Sequence, residues 1–288
     1  MTTSGFEGDG LQAVRKSTTG EGALAPGEID RSSLKNASPE NEWPDLVQKV
    51  RARTPARLLL GRAGGGYRTS TQLDLRQAHA AARDAVRTEL DLEKQFGPDF
   101  IRQWNLFEVS TAARSKDEYL LRPDLGRIFC ETSQKELRRR ITPQSDLQIA
   151  IGDGLSVTAL FSQVPKILPA LREQAKSRGW KLGQIFVIRH CRVGILNQIG
   201  ELLQPSVAVL LIGERPGLAT AESLSAYMAY RPGPGHTDAD RNLISNIHTR
   251  GVDPLDAAHR IVSLAAAMMN AKASGIELPV EETRRLKV

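Results

Sequence analysis

The sequence predicts an α/β protein built around a parallel sheet. Three observations carry that prediction. Residues 147–151, 184–189 and 207–213 are apolar runs of strand length, too continuous for half-exposed strands and so expected to be covered on both faces. Helical patterns occupy the intervals, at 156–177 and 193–203. Strand, helix, strand, helix, strand calls for right-handed crossovers and hence parallel pairing.

The elements follow in order. Residues 1–42 are rich in Gly, Ser, Thr and charge and read as a disordered arm. A smaller, mainly helical region is expected over 43–145. It begins near 45–52, is broken at Thr54-Pro55, and passes through a short apolar run at 56–61. Gly61, Gly64, Gly65 and Gly66, flanked by Arg62 and Arg68, then make a flexible basic loop. Residues 71–95 read as helix, with Leu75, Ala78, Ala82, Ala85, Val86 and Leu90 at helical spacing, stopped by Gly97-Pro98. Residues 106–110 and 118–121 look strand-like, and 128–140 looks helical, ending in Arg138, Arg139 and Arg140. The α/β domain itself is expected over 146–288. Within it Pro165 and Pro169 should begin or kink helical segments. Residues 224–230 read as a further edge strand stopped by RPGPG. Residues 255–273 give the clearest helix, with Ala258, Ile261, Val262, Ala265, Met268 and Met269 on its apolar face and Ser274-Gly275 at its end.

Bulk properties narrow the function. The net charge of +6 comes mostly from arginine, which suits paired contacts with carboxylates or phosphates. Aromatic residues make up only 5%, leaving little for base stacking, and no helix-turn-helix, RNA-recognition or zinc signature is visible. Cys130 and Cys191 lie far apart without a CxxC, as expected in a reducing cytoplasm. No apolar run approaches the ~20 residues that span a bilayer, and the first residues lack the basic-then-apolar pattern of a secretory signal.

The segment Gly213-Glu214-Arg215-Pro216-Gly217 concentrates the chemistry. It follows the apolar run 207–213, and ligands of open α/β sheets bind just past the carboxyl ends of such strands. Pro216 restricts the backbone beside the charged pair, as a fixed binding edge requires, and glycines flank it. The simpler alternative is that Glu214 and Arg215 pair with neighbours. Gly152-Asp153-Gly154-Leu155-Ser156 is either a loop offering amides to a ligand or a tight turn with Asp153 or Ser156 as helix cap. It is neither GxSxG nor GxGxxG, which argues against a nucleophilic serine and a nicotinamide fingerprint. Arg122-Pro123-Asp124-Leu125-Gly126-Arg127 reads as a surface turn. His236, Asp238 and Asp240 cluster after a Pro/Gly loop; polar surface explains them more simply than a metal. No catalytic residue and no metal ligand is assigned.

Several blocks together resemble one family, the small (light) subunit of ethanolamine ammonia-lyase. They are GRAGGGYRT, YLLRPDLGR, IAIGDGLS, CRVGILNQIGELL, VAVLLIGERPGLATAESLSAY, DADRNLISNIH and AKASGI. They run in the family's order over about residues 55–276. The resemblance implies conversion of ethanolamine to acetaldehyde and ammonia with adenosylcobalamin. It implies a large TIM-barrel partner carrying most of the catalytic machinery, in a hetero-oligomer of large and small subunits. It implies a Rossmann-like cobalamin-contacting domain whose contacts are Val193, Glu214 and Leu243. The cofactor is expected base-on, consistent with the absence of Asp-x-His-x-x-Gly from the chain. A bacterial microcompartment joins the cytoplasm as an expected setting, although residues 1–42 show no convincing amphipathic helix. The competing class is a basic α/β module for a nucleotide or nucleic acid, suggested by the loop at 61–68, the triple arginine and the pI of about 9.5.

Overall fold

The computed structural model describes residues 45–54 and 56–279; the arm expected over 1–42 lies outside them. Helix α1 (Asp45–Ala52) is followed by a minimal hairpin, β1 (Arg62–Ala63) and β2 (Gly66–Tyr67). Gly64 sits at its tip with φ +61°, so the basic glycine segment forms the turn of this hairpin. Next come α2 (Thr69–Arg87), α3 (Leu92–Trp104), β3 (Glu108–Ser110), α4 (Lys116–Leu121) and α5 (Glu131–Arg140). The remainder alternates: β4 (Leu147–Gly152), α6 (Val157–Ser177), β5 (Phe186–Arg189), α7 (Ile195–Leu203), β6 (Val207–Gly213), β7 (Leu224–Tyr230), β8 (Asn242–Ile247) and α8 (Pro254–Ala271).

One six-stranded sheet organises these elements, in the order β3-β5-β4-β6-β7-β8. The first four strands are mutually parallel. Strands β4 and β6 are buried at every position, as their unbroken apolar sequence requires. Their side chains alternate between two cores. Ile149, Ile151, Val209 and Leu211 pack with α6 and α8, while Ala150, Leu210, Ile212 and Ile188 pack with α7 and Leu137 of α5.

The sheet departs from the expected parallel one: it is mixed. Strand β7 runs antiparallel to β6, and β8 antiparallel to β7. Strand β7 is therefore internal, not an edge. The missed outer strand, Asn242-Leu243-Ile244-Ser245-Asn246-Ile247, is half-exposed and polar, so it carries no apolar run. Strand β3 also comes from the stretch expected to be a separate helical region, and it pairs with β5.

Local chemistry explains the other differences. Residues 118–121 are helical because the Ser115 hydroxyl accepts the Glu118 N–H at 3.2 Å, an N-cap that outweighs a short apolar stretch. The single helix expected over 71–95 is two helices. Asp91 caps the second by accepting the Lys94 N–H, and Gly97, at φ +75°, turns the chain so that α3 resumes through Pro98. Helix α5 starts three residues later than expected, at Glu131. Helix α6 continues through Pro165 and Pro169. Its wholly buried face, including Leu160, Val164, Ile167, Leu168 and Leu171, offsets interior prolines that cost about 3 kcal/mol or more each. Helix α8 opens with Asp253 accepting the Leu255 N–H and Pro254 in the first turn, the arrangement favoured at helix starts. Among the described residues no helix is long and apolar enough to cross a membrane.

Candidate functional site

The carboxyl ends of β4 and β5 are bound together by one carboxylate. Asp153 follows β4 and is fully buried. It accepts the N–H groups of His190 at 2.8 Å and Cys191 at 2.7 Å, while Lys116 of α4 stands 3.8 Å from it. Burial pushes the Asp153 carboxyl above the ordinary carboxylate range, against the opposing pull of Lys116 and the two N–H donors. The turn it holds is secured on other sides too. Thr111 donates to the His190 carbonyl at 3.0 Å, and Tyr119 to the Cys191 carbonyl at 3.0 Å. The Arg192 N–H reaches the Gly126 carbonyl at 2.9 Å, and its guanidinium lies over the Tyr119 ring at 4.2 Å. His190 has φ +59°, a conformation these bonds must enforce.

The Gly152–Ser156 segment is therefore not a turn with a side-chain helix cap. Asp153 serves the neighbouring strand, and Ser156 makes no cap bond; its hydroxyl bonds the Ala221 carbonyl. Gly154, at φ +56°, lies so close to β6 that a methyl group there would strike the Gly213 carbonyl. The 122–127 segment is a surface turn only in part. Arg122 and Asp124 pair in solvent, but Gly126 is buried against the 190–192 turn.

Beyond this turn opens a cleft of about 920 Å³ lined by Val193, Leu243, Tyr227, Arg192, Arg241 and Asn197 among others. Val193 and Leu243, fifty positions apart in sequence, thus face one space. Tyr227 is the register partner of Leu243 across β7 and β8. Its hydroxyl has no hydrogen-bond partner among the described residues. Burial raises its pKa, as do the carboxylates of Asp238 and Glu214, against Arg241. It is thus a neutral donor at any physiological pH. Arg241 bonds Asn197 at 2.8 Å and pairs with Asp238. The Asp240 carboxylate caps Thr237, so the acids near His236 already have partners.

Glu214 is not in the lining of this cleft; it closes the sheet beside it. Its carboxylate accepts Ser223 Oγ and Ser225 Oγ, each at 2.6 Å, and the Asn246 N–H at 2.8 Å. A carboxylate offers about four acceptor positions, so part of its capacity remains. The two residues of the Glu214-Arg215 pair diverge, for Arg215 lines a different hollow against α2. Tyr227, Ser223, Ser225, Asn246 and Arg241 were not singled out in sequence. The legible signal was the Ser-x-Ser spacing before and within β7, which puts both hydroxyls on one face.

Fold and cleft together define an α/β protein with an open cleft beside a mixed sheet whose first four strands are parallel. The family model described as Ethanolamine ammonia-lyase light chain (EutC) matches residues 44–279, and the chain belongs to that family. It is 43% identical over 252 residues to the "Ethanolamine ammonia-lyase small subunit" of Clostridioides difficile (strain 630), covering 87% of this chain and 83% of that one. It is 42% identical over 234 residues to the protein of the same name from Clostridium acetobutylicum, covering 81% and 94%. A third such small subunit, from Clostridium perfringens, is 42% identical over 230 residues, covering 80% and 76%.

The Asp153–Lys116 pair is open to test. Asp153→Asn should cost about 3–5 kcal/mol in urea denaturation, the range for breaking a buried pair by removing one partner. Combining it with Lys116→Met should recover much of that loss.

Proposed function

We propose that this protein is the small subunit of an adenosylcobalamin-dependent ethanolamine ammonia-lyase, and that it holds and encloses the cofactor against a large catalytic subunit. The observation that carries the reading is the meeting of Val193 and Leu243 in one cleft beside the Glu214 edge. The residues present fit the group. Cobalamin offers apolar corrin faces and a rim of amides. The cleft offers Val193, Leu243 and the Tyr227 ring for the first, and polar side chains for the second. Glu214, with acceptor capacity left over, suits the amide N–H groups, and bonds to a charged acceptor are the stronger kind.

When bound, the cofactor supplies the radical chemistry that turns ethanolamine into acetaldehyde and ammonia. The chain's own part is positioning and the exclusion of water. Its sequence lacks Asp-x-His-x-x-Gly, which supports a base-on cofactor that keeps its own lower ligand. The parallel half of the sheet is the Rossmann-like portion of this reading, and residues 146–288 form its cobalamin-contacting domain.

Mixed with a cognate large subunit, the chain should form a complex that releases ammonia from ethanolamine on addition of adenosylcobalamin, with neither subunit active alone. Failure of the pair to associate or to release ammonia would sink the reading. Strong salt-dependent affinity for nucleic acid, without cobalamin binding, would favour the alternative.

Two variants sharpen the site, both read by equilibrium dialysis of the two-subunit complex against cyanocobalamin. Glu214→Gln keeps the size of the side chain and should weaken binding about 10-fold or more, as expected for loss of a hydrogen bond to a charged group. Glu214→Ala would confuse the result, since it strands Ser223, Ser225 and the Asn246 N–H. Tyr227→Phe should weaken binding about 5- to 10-fold, the worth of one neutral hydrogen bond, with unchanged thermal unfolding of the free subunit.

A further inference from the structure

Helix α2 spans 19 residues, yet only Ala85 on it is buried. Leu73 is 57% exposed, and Ala82 and Val86 line an open groove of about 630 Å³. The facing wall is the loop that leaves Glu214: Arg215, Pro216, Gly217 and Leu218. The groove continues along the helix into a second hollow of about 410 Å³ that reaches Leu75 and Arg76. The Arg57 guanidinium holds the loop in place by donating to the Leu218 carbonyl at 2.7 Å.

The floor is apolar and the rim is basic. Arg76, Arg83, Arg87 and Arg215 stand around it, with no acidic side chain in the lining of either hollow. Arg87 pairs with Asp117. The other three have no ion pair or hydrogen bond among the described residues. Guanidinium groups gathered over exposed apolar surface repel one another, and a partner bearing carboxylates relieves that repulsion while covering the floor.

We propose that this groove is a docking site for the large subunit, which enters it with a segment carrying an apolar residue flanked by carboxylates. The proposal rests on the small-subunit reading above. Charge complementarity gives the chemistry of the occupant. Chain continuity gives its identity: Arg215 is the neighbour of Glu214, so a subunit that closes over the ligand edge meets the groove wall one residue further on. Arg215, which makes no bond at the ligand edge, thereby acquires a role in assembly.

The test measures association of the small subunit with its cognate large subunit by sedimentation, at low and high salt. The double variant Arg83→Glu/Arg215→Glu should bind at least about 10-fold more weakly, since it brings like charges together at the interface. Its binding should also depend less on salt than that of the wild type. Ala82→Trp, which fills the groove from a partly exposed helix position, should weaken association similarly, with thermal unfolding of the free subunit unchanged. Wild-type association with both variants within about twofold of it would overturn the groove proposal and leave the functional reading standing. No association of the wild-type pair would overturn both. Self-association of the small subunit alone, lost in the double variant while pairing with the large subunit persists, would assign the groove to a second copy and overturn the proposal.

Discussion

Asp153 has no exposed surface, and its oxygens take the N–H groups of two consecutive residues from the neighbouring strand's exit. A buried carboxylate with those donors and one lysine is an expensive arrangement, and hydrophobic packing often matches such pairs for stability. What it provides here is direction. Strand β5 ends at Arg189, and without a fixed acceptor the next residues would be free to leave in several ways. Asp153 forces His190 into a left-handed conformation, and the bonds from Thr111, Tyr119 and to Gly126 hold the rest of the turn. Val193 reaches the cleft as a consequence.

This turn also explains how the N-terminal half of the folded chain takes part in the site. Lys116, Tyr119 and Gly126 precede the alternating region, yet each touches the 190–192 turn or the carboxylate behind it. Strand β3 brings the same half into the sheet. Read in isolation, the segment around Gly126 has the composition of a loop. Its glycine is required because Arg192 and the His190 carbonyl occupy the space a side chain would need.

The strands legible in the sequence were the ones buried on both faces. Val207–Gly213 appeared with its observed limits because seven consecutive buried positions leave no alternation to misread. Strand β8 was invisible for the opposite reason: Asn242, Ser245 and Asn246 face outward or sit at an irregularity, and Asn246 has φ +60°. Half of the site was hidden with it. Val193 and Leu243 came from resemblance to a family and Glu214 from its place past an apolar strand as well, whereas Tyr227 emerges only when register sets it opposite Leu243. The bond from the Asn246 N–H to Glu214 spans 32 positions, and no local pattern encodes it. At the Glu214-Arg215 pair the two readings of the sequence divide between the residues. Glu214 does bond neighbours, as the simpler reading held, while remaining at a strand end; Arg215 has turned to another surface.

Gly154 has no room for a side chain against the Gly213 carbonyl, nor Gly213 against the carbonyls of Ser156 and Asp153, and the Leu155 N–H bonds the Gly213 carbonyl at 3.1 Å. The exit of β4 and the exit of β6 are therefore one rigid piece. For a ligand bound as proposed, Glu214 at this edge would already be in place, and little of the contact free energy would be consumed in ordering it. A displacement of either strand end would accordingly be passed to the other through this contact.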